Sequence, residues 1–149
     1  LKRNNWFIAL GIFWTVVFSC VSFYWAMGGM FGVRSLGGSI YEMSLNPDPS
    51  FILIVWLTGF IKLLGLILLL MLFVPWTKPK MTSMLYHLTK IIGALLILYG
   101  LLNFITISLS VFNILEFELD SYATFWRLTF WEPFWIVGGV CYFFPIKRG

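Results

Sequence analysis

Four stretches of this chain are too long and too apolar to belong to a fold built for water. Residues 6–27 (Trp6 to Met27), 51–74 (Phe51 to Val74), 91–112 (Ile91 to Phe112) and 125–144 (Phe125 to Phe144) qualify. Each supplies about the twenty mostly apolar residues a helix needs to cross ~30 Å of hydrocarbon. Pro75 closes the second stretch and Pro145 the fourth. In lipid every backbone N–H and C=O must be satisfied inside the segment, so runs of this length predict helices and not the short alternating strands of a barrel. The four runs occupy most of the 149 residues and leave no remainder large enough for a soluble domain. The expected fold is an all-α membrane protein: one domain over 1–149, a four transmembrane helix bundle with short connections.

Composition agrees. The chain is 60% hydrophobic and 11% charged, whereas a soluble domain carries about 25% charged residues. Its net charge of +4 would invite nucleic acid if the cations clustered on one face. They are sorted instead by the ends of the spans. Lys2 and Arg3 precede the first, Lys78, Lys80 and Lys90 separate the second from the third, and Lys147 and Arg148 end the chain. After four crossings these seven share one side, while the other holds Arg34 and Arg127 among Glu42, Asp48, Glu116, Glu118 and Asp120. The positive-inside bias therefore predicts that both termini and the middle loop are cytoplasmic, with no nucleic-acid partner. Trp6, Trp25, Trp76 and Trp126 fall near span ends, as interfacial aromatics do. The opening also resembles a lipoprotein signal, ending in Val17-Phe18-Ser19-Cys20. However, the apolar run continues to Met27 and Phe18 is bulky where such a signal wants a small residue, so a retained span is expected.

The connections differ in character. Gly28 to Ser50 is the longest external one, with glycine pairs at 28–29 and 37–38 that permit positive φ and a fold back over the bundle mouth. Tyr41 to Asn46 and, in the second external loop, Leu115 to Asp120 alternate apolar and polar residues, the period of a strand. Two readings follow: the segments pair into a small external β-cap, or both are irregular loops at the headgroups. Trp76 to Lys90 reads as a basic anchoring loop beside anionic lipid. It holds His87, the only histidine, which is expected to be solvated. One histidine makes neither a bis-histidine haem nor a multi-histidine metal site, and no cofactor is expected. Cys20 and Cys141 lie at different depths and form no C-x-x-C, so they read as unpaired packing residues.

Two ionisable residues stand inside spans. Lys62 is about 16 Å below the outer end of the second helix and Glu132 about 10 Å below that of the fourth. A charge at mid-bilayer costs at least ~2.5 kcal/mol, so each needs a partner or water. Either they pair, the lysine stem snorkelling outward, or Glu132 reaches external headgroups near Arg127 and Lys62 is neutral or bound to water. Stripes of small and polar residues accompany them: Gly11, Thr15, Ser19, Ser22 and Ala26 on the first helix, Thr58, Gly59, Lys62 and Gly65 on the second. Gly100, Asn103, Thr106 and Ser110 follow on the third, and Glu132, Trp135 and Gly139 on the fourth. Such stripes mark helix contact in lipid. Because Asn103 lies between the depths of Glu132 and Lys62, with Ser22 and Trp25 above, an outward-facing polar pocket follows, lined by Lys62, Glu132, Asn103, Trp25, Trp135 and Ser22. No nucleophile elbow, H-E-x-x-H or P-loop is present.

Tyr24-Trp25-Ala26-Met27-Gly28-Gly29 followed by Phe31-Gly32 resembles the W-A-x-G-G-x-x-G signature of a small bacterial membrane-protein family catalogued as a domain of unknown function. Arg127 through Glu132-Pro133-Phe134-Trp135 to Gly138-Gly139 is similar to its final helix, and Asn46-Pro47 to the element before its second. The resemblance implies four helices and a bacterial cytoplasmic membrane, and brings no activity or catalytic residue. The leading expectation is a non-enzymatic protein binding a membrane lipid or small amphiphile in that pocket, or serving as a subunit for a membrane-protein partner or homodimer. The alternatives are an enzyme on a lipid-like substrate using Glu132 and Lys62, or a small transporter or immunity protein.

Overall fold

A computed structural model describes all residues 1–149. The chain is mostly helical. Helix α1 spans Asn5–Ala26, a short α2 Gly38–Leu45, α3 Pro49–Met71 and α4 Pro79–Val111. Helices α1, α3 and α4 are long and apolar enough to cross a membrane. Where a fourth span was expected at 125–144 no single regular helix stands. The chain there runs without a break as α5 (Ser121–Trp126), a π-helical segment (Arg127–Trp131) and α6 (Glu132–Phe143).

Helix starts follow local chemistry. Asn4, Asp48 and Asp120 cap α1, α3 and α5, each side chain accepting from a backbone N–H in the first turn. Pro49 and Pro79 open α3 and α4 at the position where a missing N–H costs nothing. That second proline corrects the expectation of a loop from Trp76 to Lys90, because α4 already begins at Pro79. Its first turns bury Leu85 and Thr89 on one face while Lys80 and His87 are exposed and Lys90 turns to α6, donating to the Phe143 carbonyl, and the lysine content hid this four-residue period. His87 is exposed, its ring bonded to the Ser83 carbonyl at 2.7 Å.

The external β-cap does not form. Tyr41–Leu45 is helical, part of α2, and Leu115–Asp120 has no regular structure. Six alternating residues are too few to separate period two from the i, i+3 spacing that sets Ile40 and Met43 side by side. The one ladder is at the opposite end, where β1 (Lys2–Arg3) pairs antiparallel with β2 (Ile146–Lys147). Arg3 extends this clasp by donating to the Leu72 and Phe73 carbonyls at 2.9 and 3.1 Å.

Helix α1 packs antiparallel on α3, α4 antiparallel on α6, and α1 joins the two pairs through α6. The α4–α6 seam is backbone on backbone. A Cβ on Gly139 would stand 2.7 Å from Ile97 N and 2.8 Å from the Gly93 carbonyl oxygen, which is the close approach that small residues allow in lipid. Helices α3 and α4 scarcely meet, so a fissure runs between them. Polarity is distributed inside out. Thr15, Ser19, Ser22, Thr89 and Glu132 are all buried, while Phe13 is 71% and Leu64 66% exposed.

Candidate functional site

At the end of the molecule away from the termini, the four helical columns part around a chamber of about 520 Å³. The loop after α1 forms its roof. Gly28, Gly32, Gly37 and Gly38 all have positive φ, so the chain turns back over the bundle mouth. Gly37 is pressed so close to α5 that a Cβ would come within 2.4 Å of Ala123 Cβ. The Trp131 indole donates to Ser35 Oγ at 2.8 Å and the Trp25 indole to the Phe31 carbonyl at 2.8 Å, pinning the roof to its walls. Arg34 lies over the Tyr122 ring at 4.7 Å from its centroid.

Of the residues expected in the pocket, Ser22, Trp25, Lys62, Glu132 and Trp135 line this chamber. Asn103 stands behind the wall, accepting from Arg127 Nη2 at 3.3 Å. The proposed Lys62–Glu132 ion pair is not formed. Glu132, 1% exposed, accepts from Arg127 Nε at 2.8 Å, the one salt bridge of the chain. Nor does Glu132 reach outward to headgroups; Arg127 folds inward to meet it. The π-helical segment makes this meeting possible. In an α-helix residues five apart point some 140° away from each other. Here the Glu132 N–H donates to the Arg127 carbonyl, an i to i+5 closure that brings the two side chains to one face. Pro133 follows directly and lacks the N–H that would continue the ladder. Arg127 is the site residue that sequence reasoning missed. Glu132-Pro133 is the available signal, since proline forces a helix to rearrange its bonds.

Lys62 has different company. Its ammonium donates to Ser22 Oγ at 2.9 Å and to the Thr58 carbonyl at 3.4 Å, and lies 4.3 Å from the Phe18 ring centroid. No carboxylate pairs with it. Asp48, the other acid on the lining, sits about 21 Å along α3 from Lys62, fourteen residues away, and its Oδ1 caps Phe51 N at 2.7 Å. With Arg127 and Glu132 balancing each other, the inner part of the chamber keeps one uncompensated cation. Interlocked rings stiffen the wall beneath: Phe18 meets Trp135 at 4.8 Å and Phe134 at 5.2 Å, both edge to face.

Cys20 is exposed and Cys141 buried, and both are free thiols. No group of three or more histidine, cysteine, aspartate or glutamate side chains is placed to hold a metal ion.

A family model described as "Protein of unknown function (DUF3995)" matches residues 15–142. No curated protein and no solved structure matches the chain.

Proposed function

The chain belongs to the DUF3995 family, and from that premise we propose that it is a four-crossing membrane protein whose roofed chamber binds one small amphiphile. The inside-out polarity supports the membrane setting, because Leu64 and Phe13 face outward while Glu132 and Ser22 are buried. Ser121–Phe143, taken as one composite helix, makes the fourth crossing. The sorted lysines and arginines then put both termini in the cytoplasm and the roof outside, in a bacterial cytoplasmic membrane. At about 50 Å, α4 exceeds the hydrocarbon thickness, so its first turns stand in the cytoplasmic headgroups.

The observation that carries the binding reading is the lining of the chamber. Apolar and aromatic walls surround a few fixed polar groups, the usual make-up of a small-molecule site. Binding is favoured over acid–base chemistry because Arg127, not Lys62, holds Glu132. The enzyme reading relied on Lys62 setting the state of that carboxylate.

Native mass spectrometry of the chain ejected from lipid nanodiscs tests this. One small adduct per chain is expected in the wild type. It should be lost in Thr58→Phe, which fills the chamber between its walls, with the thermal midpoint retained. A bare wild-type chain, or an adduct that survives Thr58→Phe, overturns the reading.

A further inference from the structure

Below the chamber lies a second cavity of about 540 Å³, the widened part of the fissure between α3 and α4. Lys62, Thr58 and Trp135 line both spaces, so the two meet at the ammonium. On one side the fissure is walled by Leu64 and Leu68 of α3, the latter about 9 Å beyond Lys62 along the helix. On the other it is walled by Leu88, Ile92 and Leu96 of α4, a four-residue file about 12 Å long.

The polar groups bordering this lower space are already satisfied within the protein. Thr15 Oγ1 donates to the Gly11 carbonyl at 2.7 Å and lies 2.8 Å from the Tyr142 hydroxyl, the Trp14 indole donates to the Phe134 carbonyl at 2.9 Å, and Thr58 Oγ1 donates to the Val55 carbonyl at 2.7 Å. Lys62 is the exception. An ammonium has three donors. Two are engaged by Ser22 and Thr58, one of them weakly at 3.4 Å, and the Phe18 ring face lies 4.3 Å away, but no carboxylate balances the charge.

From this juxtaposition we infer that the site takes a single-chain monoanionic amphiphile of the fatty-acid type, its carboxylate on Lys62 and its hydrocarbon tail in the α3–α4 fissure. The inference rests on the amphiphile reading above and narrows it. One cation without a counter-ion suits one monoanion. One file of apolar side chains on each helix suits one tail. Hydrocarbon leaving the bilayer for this fissure gains no hydrophobic free energy, since lipid tails are as apolar as leucine. Selectivity must therefore come from the head, through a charge-assisted hydrogen bond strengthened where water is scarce.

Photolabelling in phosphatidylcholine nanodiscs tests the inference with two probes, a fatty acid carrying a terminal diazirine and the fatty alcohol of equal length, mapped by peptide mass spectrometry. The acid should label the peptides holding Leu64, Leu88, Ile92 and Leu96 about ten-fold more than the alcohol, the weight of one hydrogen bond to a charged group. Lys62→Arg should keep that preference and Lys62→Met abolish it. Equal labelling of these peptides by both probes overturns the anion assignment and leaves the amphiphile reading standing. Labelling of neither fissure nor chamber above the rest of the lipid-facing surface overturns both. A second copy of the chain seated in the fissure would exclude both probes and register as a dimer by native mass spectrometry, which also overturns the inference.

Discussion

At Glu132 a carboxylate with 1% of its surface exposed has Arg127 as its only charged neighbour, itself tied to Asn103. Removing one member of a buried pair strands the other, at a cost of roughly 3–5 kcal/mol, whereas replacing both by apolar groups of similar size is often neutral. Arg127→Met should therefore destabilise the chain by about that amount, and Arg127→Met with Glu132→Met should recover most of it. Thermal unfolding in detergent of the two single variants and the double variant checks this. A double variant as unstable as the sum of the singles would mean that the residues do not act on each other. Lys62 is the opposite case, a cation resting on a hydroxyl, a carbonyl and a ring face. The positions of Lys62, Glu132, Ser22 and Asn103 along their helices were legible, because they follow from residue count and helical rise. Which charges meet was not legible, because it depends on rotation about each axis, and a local π-helical segment changed that rotation at the decisive place.

At the scale of the element, glycine decides how closely helices pack. Gly93 and Gly139 let the α4 and α6 backbones touch, with no room for a Cβ. Gly139→Val should push the pair apart and destabilise the chain by about 1–3 kcal/mol, the usual cost of overpacking a tight contact, read as a lower thermal midpoint in detergent. At Gly28 a Cβ would meet no atom within 4 Å, and a side chain there brings instead the strain of a φ of +96°. The stripe on α1 was fully legible: Gly11, Thr15, Ser19, Ser22 and Ala26 are all buried. The stripe on α4 was legible only in part. Gly100 packs on α6, while Thr106 bonds back to the Leu102 carbonyl of its own helix and Ser110 to the Phe117 carbonyl of the following loop. Small polar residues in helices often satisfy themselves locally, so a polar stripe alone does not name its neighbour.

Across the whole molecule, the clasp of β1 with β2 gathers both termini at one end and leaves the roof at the other. The proposed orientation predicts that a cysteine placed at Glu118 in a Cys20→Ser, Cys141→Ser background reacts with a membrane-impermeant maleimide on intact cells. One placed at Lys147 should react only after permeabilisation. Reversed labelling would put the chamber on the cytoplasmic side.

Long apolar runs and their caps determined the helical class of this protein and the position of each polar residue along its helix. These are one-dimensional properties, because helix length, rise and the need to satisfy backbone polar groups do not depend on neighbours. The tertiary structure alone decided that α3 and α4 stay apart, that α2 is a helical roof and not a strand, and that Arg127 rather than Lys62 takes the Glu132 carboxylate. Each of those outcomes is set by how helices turn about their axes and approach in space, and many rotations satisfy the same apolar pattern equally well when every face of a helix is apolar.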